Sequence, residues 1–418
     1  MNSKPPYLFL LWVITLSSCA SPATKSSTQA QKDHFEPVNI GLVQLINDQR
    51  NDLLQLPVVQ LGSSMTLKFD LLESDFRYLS LKLIHCNADW TQSLLQDLEF
   101  LEIFNEFPIR AYDFSQTNYQ DYTSYQIEIP AVKKTGNYRL AVYEEDNGQI
   151  LFTRRFSVYE NKVQINTQIN RPNNPGLRNS HHQIDYEIDY GNLNIINPHQ
   201  DVKCFVVQNH HWENVIDPFA HSAFIPGQNK LVFNSFENEN SMLAWNEFRF
   251  FDIRRISNRG LRVIDQYVNE MGPQVILDVD HSSNGKAYAE NFQEDLNGLF
   301  IIGNNDLLET SLNTEYVNVN FKLETSPING AVYVTGRFNN WEKSPQNIMH
   351  YDTNAAAYTA SITMKQGYYN YRYEVIDSDL KANYFEGSHF QTKNLYEIYV
   401  YFREPGTIYD QLVGYGTF

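Results

Sequence analysis

The chain has 418 residues, a formal net charge of −17, and 27 tyrosines and 26 phenylalanines. Since domains typically have about 150 residues, a chain of this length is expected to form two or three of them. The many aromatic residues favour β-strands, where rings pack on a pleated surface, over helical bundles. The excess of acidic residues repels phosphate backbones, which removes nucleic acid from the expected partners.

The N-terminus reads as a targeting segment. Lys4 precedes the apolar run Tyr7–Leu16, which is shorter than the roughly 20 residues that span a bilayer, so residues 1–18 are predicted to be a signal peptide. The following Cys19, reached through Leu16-Ser17-Ser18, resembles the cysteine of the bacterial lipobox, which implies that it is lipidated. An ordinary signal peptide that is cleaved near Ala20 or Ala23 is the alternative.

Residues 19–34 are small and polar, and cannot bury a core. We interpret them as a flexible lipoprotein tether, which would hold the protein on a membrane face without spanning it. No aspartate follows Cys19 and no acidic run lies in the tether. By resemblance to lipoprotein sorting rules, this pattern favours the periplasmic leaflet of the outer membrane over surface display.

Residues 35–160 are predicted to form a first β-sandwich. Aromatic or β-branched residues alternate with polar ones, the period-two pattern of half-buried strands. Three such runs come first: Met65–Leu72, Tyr78–His85 and Tyr122–Ile129. Asn147-Gly148 then predicts the turn of a hairpin with strands Tyr138–Glu144 and Ile150–Tyr159. Leu94–Phe104 has leucines and acids at helical spacing and is predicted to be a short helix or an extended loop.

Residues 161–312 and 313–418 are predicted to form a second and a third sandwich, the third being of the early-set type. The strand patterns of the second are Val163–Ile169, Gln183–Tyr190, Val202–Asn209, Trp245–Phe251, Gln274–Asp280 and Leu299–Gly303. Those of the third include Tyr358–Thr363, Tyr368–Ile376, Tyr384–Phe390 and Leu395–Phe402.

One tryptophan in each block follows a turn that contains asparagine. These are Trp90, Trp212 and Trp341, and an aromatic strand comes downstream of each. A long period of this kind predicts similar domains in series. The predicted fold class is therefore all-β, with three tandem immunoglobulin-like or early-set β-sandwiches after a signal peptide and a short tether.

The sequence offers no catalytic residues, because it contains no GxSxG, HExxH, P-loop or GxGxxG motif. The adjacent pairs His181-His182 and His210-His211 do not predict a metal site, since neighbouring strand residues point to opposite faces. We therefore expect no enzyme, no cofactor and no metal ion. Cys86 and Cys204 lie in different predicted domains, so we expect two buried thiols rather than a disulfide.

The turn Gly336–Trp341 resembles that of glycogen- and starch-binding sandwich modules. This resemblance implies that Trp341 stacks on glucose with help from Arg372, but Ser378–Gly387 lacks the second tryptophan and the asparagine that those modules use. Trp90, Trp212, Trp341 and Arg372 are thus candidate binding residues, for a protein interface or for a glycan. We favour Trp341 as a residue that closes a core or an interface, and a glycan-binding outer-membrane lipoprotein is the alternative function.

A resemblance that spans nearly the whole chain is carried by several strings. They are Leu83–Trp90, Asn118–Pro130, Gly136–Tyr138, Asn246–Arg249 with Phe251-Asp252, Lys365–Tyr371, Glu386–Ser388 with Gln391-Thr392, and Tyr409-Asp410 with Leu412–Tyr415. Together they resemble the plug-protein family of the type IX secretion system. The resemblance implies a periplasmic, non-enzymatic protein that closes the periplasmic opening of the outer-membrane translocon barrel when no shuttle protein occupies it. The barrel and the lipid-anchored membrane are then the expected partners of a monomer.

Overall fold

Alternation of apolar and polar side chains directs about half of the described residues into strands, which confirms the predicted all-β sandwich fold class. The computed structural model describes residues 40–47, 56–191, 193–216, 223–225, 228–234, 238–290, 295–306 and 311–418. The predicted signal peptide, Cys19 and the tether lie outside these residues.

The first sandwich consists of two sheets that face each other across a core. Its strands are β1 Ile40–Asn47, β2 Val58–Gln60, β3 Met65–Leu71, β4 Leu79–Cys86, β5 Phe107–Ile109, β6 Ala111–Phe114, β7 Thr123–Glu128, β8 Gly136–Glu144 and β9 Ile150–Tyr159. The sheets run in the orders β2-β9-β8-β4-β5 and β1-β3-β7-β6. Phe69 from one sheet meets Phe152 from the other with ring centroids 5.0 Å apart. Of the segment Leu94–Phe104, only α1, Asp97–Phe100, is helical.

The second sandwich begins with β10 Gln164–Asn170, β11 His181–Asp189, α2 Pro198–Asp201, β12 Val202–Gln208, β13 Val215–Ile216, β14 Ala223–Ile225, β15 Lys230–Phe233 and β16 Ser241–Leu243. The third follows with β17 Arg249–Asp252, β18 Val263–Asn269, β19 Gly272–Leu277, β20 Asp280–His281, β21 Phe300–Ile302, β22 Tyr316–Glu324, β23 Ala331–Thr335, β24 Ile348–Asp352, β25 Ala357–Lys365 and β26 Gly367–Ile376, with 3₁₀ turns at Ser311–Asn313 and Arg337–Asn339. The last strands are β27 Tyr396–Phe402 and β28 Gln411–Thr417.

Strand pairing crosses the predicted domain boundaries. β27 pairs antiparallel with β12 along its whole length, from Val202 opposite Phe402 to Gln208 opposite Tyr396. The C-terminal strands thus complete a sheet of the second sandwich, in the order β13-β12-β27-β28. Ile398 of β27 and Val206 of β12 belong to one core, which explains why the chain returns. Alternation along a strand identifies the strand but not its partner, so the sequence could not show this return.

The third sandwich is one long sheet that folds over its own core. Its strands run in the order β17-β26-β23-β24-β25-β22-β19-β18, so β17 to β21, which the prediction assigned to the second domain, belong here. Phe321 of β22 lies with its ring centroid 5.2 Å from that of Tyr371 of β26, although these strands are not neighbours in the sheet. The contact shows that the two strands face each other across the core.

The predicted strand Tyr384–Phe390 is wrong. These residues form turns between β26 and β27, and Phe385 fills the core of the third sandwich. Gly387 has a φ of +74°, a left-handed conformation that a strand does not contain. Phe385 therefore fills the core of the third sandwich, and the segment does not pair as a strand.

The strand pairing generates a prediction about stability. Ile398→Ala should lower the free energy of unfolding by about 2–5 kcal/mol, because it leaves a cavity in the second core. In hydrogen exchange, β12 should lose protection before β22. The control Ile408→Ala removes a half-exposed side chain between the same two C-terminal strands and should change stability by no more than about 0.5 kcal/mol. Earlier loss of protection in β22 would contradict the assignment of β27 to the second sandwich.

Candidate functional site: the joints between the sandwiches

The three sandwiches meet at a shared apolar cluster. Residues from all three contribute to it: Leu56, Val58 and Ala88 from the first, Val207, Tyr399, Tyr401, Leu412 and Tyr415 from the second, and Leu296, Leu299 and Tyr368 from the third. β27 supplies Tyr399 and Tyr401 to this cluster while its alternate side chains fill the second core, so all seven of its residues are buried. Because both faces of β27 pack against protein, this strand fixes the position of the second sandwich relative to its neighbours.

Asn137 is the centre of the polar joint between the first and second sandwiches. Its amide oxygen accepts hydrogen bonds from the hydroxyls of Tyr401 and Ser157, each at 2.8 Å. Its amide nitrogen donates to the carbonyl oxygen of Asn87 at 3.1 Å. Tyr401 of the second sandwich thus supplies one of the two hydrogen bonds that the amide oxygen of the fully buried Asn137 accepts.

Asp410 closes the same joint with charge. Its carboxylate accepts from the backbone N–H of Ala88 at 3.0 Å and pairs with Lys203 at 3.1 Å and with Arg403 at 2.7 Å. Burial alone would raise the pKa of Asp410, but the Ala88 hydrogen bond and the two cations outweigh burial and lower it. A Cβ at Gly136 would lie 2.6 Å from the His85 ring and 3.1 Å from the Asp410 carbonyl. The segments that contain these residues can therefore come this close only when residue 136 is glycine.

Arg372 forms the core of the joint between the second and third sandwiches. Its guanidinium lies 3.7 Å from the ring centroid of Trp245 and 4.8 Å from that of Trp341. It donates to Nδ1 of His211 at 3.1 Å and to the Glu374 carboxylate. A planar cation stacked between indoles and fixed at its edge holds three chain segments in one geometry.

The charge of this joint is balanced inside it. Glu374 pairs with Arg372 and also with Lys343, whose Nζ lies 2.9 Å from the carboxylate. Burial raises the pKa of Glu374, but the Arg372 and Lys343 charges outweigh burial and lower it, so the carboxylate stays ionised. His211 stacks on Trp341 with centroids 4.7 Å apart, and burial lowers its pKa to about 3. A neutral His211 is required, since its Nδ1 accepts from Arg372.

The joint between the first and third sandwiches contains a buried ion pair. Nζ of Lys365 lies 2.7 Å from the Asp70 carboxylate, which also accepts from the hydroxyl of Tyr316 at 2.7 Å. The ammonium lies 4.1 Å from the ring centroid of Tyr122. Removing one partner of such a pair costs about 3–5 kcal/mol because it leaves a buried charge alone. The three joints together close a triangle, in which each sandwich contacts the other two.

The candidate aromatic residues lie in these joints and not on the surface. Trp90 and Trp341 are each 3% exposed, and Trp212 packs edge-on against Trp90 with centroids 5.0 Å apart. Trp341 is covered by His211 and Arg372, so it presents no face on which a sugar could stack. The predicted glycan role of Trp341 and Arg372 therefore has no exposed platform in this structure, whereas the expectation that Trp341 closes an interface agrees with its burial.

Trp245 shares two local features with Trp90 and Trp341, although Trp212 is the middle member of the predicted repeat. Trp90, Trp245 and Trp341 have left-handed backbones, with φ of +65°, +56° and +62°, and a guanidinium lies over each ring. Positive φ is uncommon outside glycine. Trp245 follows β16 without the asparagine-rich turn that marks Trp90 and Trp341, which is why sequence comparison selected Trp212.

The histidine pairs and the cysteines have separate surroundings. His210 contacts Glu397 at 3.0 Å while His211 contacts Trp341, and His182 bonds Tyr396 and the Phe390 carbonyl. Cys86 and Cys204 are buried in different sandwiches, and burial raises the pKa of Cys86 to about 11. Within the described residues, no cluster of three or more His, Cys, Asp or Glu side chains is placed to hold a metal ion. The described ranges also include no helix of the length and apolarity needed to cross a membrane.

The fold and these joints define a class of multidomain all-β protein in which sandwiches are locked together by buried polar contacts. Within that class, residues 40–160 match the family model of the type 9 secretion system plug protein, 1st domain. This match confirms the resemblance predicted from the sequence over residues 40–160. Among the residues that carried the resemblance, Ala88, Gly136, Asn137 and Asp410 are joint residues.

One solved structure covers the same architecture. The crystal structure of a hypothetical protein from Parabacteroides merdae ATCC 43184 at 2.30 Å resolution is 29% identical, with a TM-score of 0.85 over 93% of this chain and 100% of that chain. The C-terminal domain of the Streptococcus pyogenes antigen I/II-family protein AspA aligns over 91% of this chain and 99% of that chain at 9% identity, with a TM-score of 0.17. No curated protein matches the chain.

The neutral state of His211 generates a pH prediction. The unfolded chain protonates this histidine below about pH 6.5, whereas the folded chain does so only near pH 3, so stability is full above pH 6.5 and is lost as the pH falls. Between pH 7 and pH 5, His211 alone should cost about 2 kcal/mol of unfolding free energy. Denaturant titrations at the two pH values measure this loss.

In His211→Gln, the side-chain carbonyl can still accept from Arg372 but does not titrate, so the loss between pH 7 and pH 5 should be smaller by that amount. His281→Gln, at an exposed position, is the control and should keep the pH dependence of the parent. An identical loss in His211→Gln and the parent would show that His211 is not held neutral.

Proposed function

We propose that the protein is a non-enzymatic plug that closes the periplasmic opening of the type IX secretion translocon barrel when no shuttle protein occupies it. The observation that supports this proposal best is the closed triangle of joints. It joins three sandwiches into one body with buried contacts at every pairwise interface. The match of residues 40–160 to the plug-protein first domain supplies the link to secretion.

A plug has to block a wide opening without deforming when molecules press on it from one side. A chain of sandwiches on flexible linkers would bend, whereas the Asn137, Arg372 and Lys365 joints each link a different pair of sandwiches. Their buried polar groups have no water to replace a lost partner, so partial opening is costly. Rigidity of this kind suits obstruction, and it leaves docking and release to the outer surface.

The proposal predicts two results. A tagged protein extracted in mild detergent should co-purify a large outer-membrane barrel, and cells that lack the protein but keep the translocon should admit large antibiotics. Cells that lack both should regain the barrier, since the leak runs through the unplugged barrel. An intact barrier in the single deletion, or a pull-down without a barrel, would contradict the proposal.

We also propose that the protein acts in the periplasm and that a lipid on Cys19 anchors it to the outer membrane. The support is the lipobox-like Leu16–Cys19 and the polar residues 19–34 that follow it. Such a tether would keep the plug at high local concentration near the barrel even when it is undocked.

Metabolic labelling with a radioactive fatty acid tests the anchor. The parent should incorporate label, and Cys19→Ala should lose it and appear in the soluble periplasmic fraction. Cys86→Ala is the control for labelling at another cysteine and should keep the label. Label that persists in Cys19→Ala would exclude this cysteine as the site.

A further inference from the structure

The first sandwich carries a surface segment with several exposed apolar side chains, residues 94–104, which we call the ledge. Leu94, Leu98, Ile103 and Phe104 project from it with 60–76% of their surface exposed. Single exposed apolar residues are ordinary on a protein surface, but a group of four this close together marks an interaction site.

The ledge is an ordered element and not a loose loop. Phe100 and Leu101, in its middle, are buried in the first core. The backbone N–H of Lys133 donates to the Phe100 carbonyl at 2.9 Å, and its ammonium donates to the Leu98 carbonyl at 2.8 Å. Immediately after the ledge, Asn105 exchanges two hydrogen bonds with the backbone of Leu83 on β4. The exposed side chains are thus presented by a segment fixed at its centre and at its end.

The position of the ledge leaves it free for a partner. In the sheet order β2-β9-β8-β4-β5, Val58 of β2 contacts the apolar cluster shared by the three sandwiches. The ledge is followed by Asn105, which bonds Leu83 of β4 near the opposite edge of this sheet. The first sandwich also exposes an aromatic stack on its other sheet, with Phe76 against Tyr112 at 5.3 Å and Tyr112 against Phe114 at 5.7 Å. No side chain of the ledge takes part in the hydrogen bonds and ion pairs described above for the joints.

The charge around the ledge limits what the partner can be. Asp97, Glu99 and Glu102 are exposed between the apolar side chains, and Glu106 follows. Nζ of Lys133 lies 3.6 Å from the Glu102 carboxylate. The remaining acidic side chains, Asp97, Glu99 and Glu106, form a negatively charged rim around the ledge. An anionic lipid surface would repel this rim, and a second copy of a chain with a net charge of −17 would do so too. The complementary partner is a protein surface that offers apolar pockets with a rim of lysine and arginine.

From these observations we propose that the ledge is the docking surface for such a protein, and that the protein is the translocon barrel, an identification that rests on the proposed plug function. The apolar side chains would fill pockets on the barrel's periplasmic face. The acidic rim would pair with basic residues around those pockets and set the orientation of the plug.

Site-specific photo-crosslinking in cells that contain the translocon tests this surface on the full chain. A photoreactive residue at Leu98 or Phe104 should form an adduct with the barrel. The same residue at Ile196 or Met271, which are equally exposed on the second and third sandwiches, should not. Adducts from the control positions with none from the ledge would overturn the choice of surface and leave the plug function standing. The absence of barrel adducts from every position, together with a pull-down that contains no barrel, would overturn both.

Variants separate the apolar and the charged contributions. Leu98→Ser with Phe104→Ser should reduce barrel capture at least tenfold, whereas the matched pair Ile196→Ser with Met271→Ser should capture it like the parent. Asp97→Asn with Glu102→Gln should weaken capture several-fold at low salt and make it less sensitive to added sodium chloride. Parental capture by the first double variant would refute the ledge as the docking surface. Stronger capture by the second would refute the basic rim on the partner.

Discussion

Buried polar side chains on strands that are apolar on their other face impose the constraint on which this architecture depends. On β26, Tyr369, Tyr371 and Tyr373 enter the core of the third sandwich, while Arg372 and Glu374 point the other way and are still buried. A desolvated guanidinium without partners is expensive, since a buried charge must be both paired and hydrogen-bonded. Glu374 on the same strand supplies the carboxylate for Arg372, whereas His211 of the second sandwich and Trp245 complete its surroundings from outside. The full set of contacts to Arg372 therefore forms only when the second and third sandwiches meet.

The same logic operates at the other two joints. Asn137 accepts a hydrogen bond from Tyr401, and Lys365 pairs with Asp70, across a domain boundary in each case. Compared with well-packed apolar residues, buried pairs of this kind add little to stability, but they penalise every arrangement in which the partners are misaligned. The joints therefore select one relative orientation of the sandwiches, and the shared apolar cluster supplies the favourable free energy of docking.

Strand identity could be predicted from the sequence, while strand partnership could not. The alternation of β4, β9 and β26 was sufficient to place each of them within a few residues. The return of β27 to β12 has no local signal, because a strand pattern carries no record of which core its apolar side chains enter. The candidate site shows the same limit. Asn137 and Asp410 stood within strings that resemble a known family, but nothing local distinguished them as joint residues rather than surface turns.

Trp245 shows where analogy between blocks misleads. Trp90 and Trp341 sit in turns that share asparagine and a left-handed backbone, so the turn sequence was a reasonable marker for them. At Trp245 the same backbone accompanies tertiary contacts: Arg372 lies over its ring, and His389 and Thr392 donate to its carbonyl. Tertiary contacts replace the local turn signal there, and a tertiary contact is not visible in a single sequence.

The distribution of charge connects the interior to the way such a protein would act. Lys203, Lys343 and Lys365 are paired with acids inside the joints, where each cation neutralises a buried carboxylate. The net charge of −17 is therefore carried mainly by the outer surface, where water and salt reach it. Contacts made through such charges accelerate association and fix orientation more than they add affinity. A body that is rigid inside and acidic outside can dock quickly on a basic partner and leave it again, because docking disturbs none of the buried pairs that hold the body together.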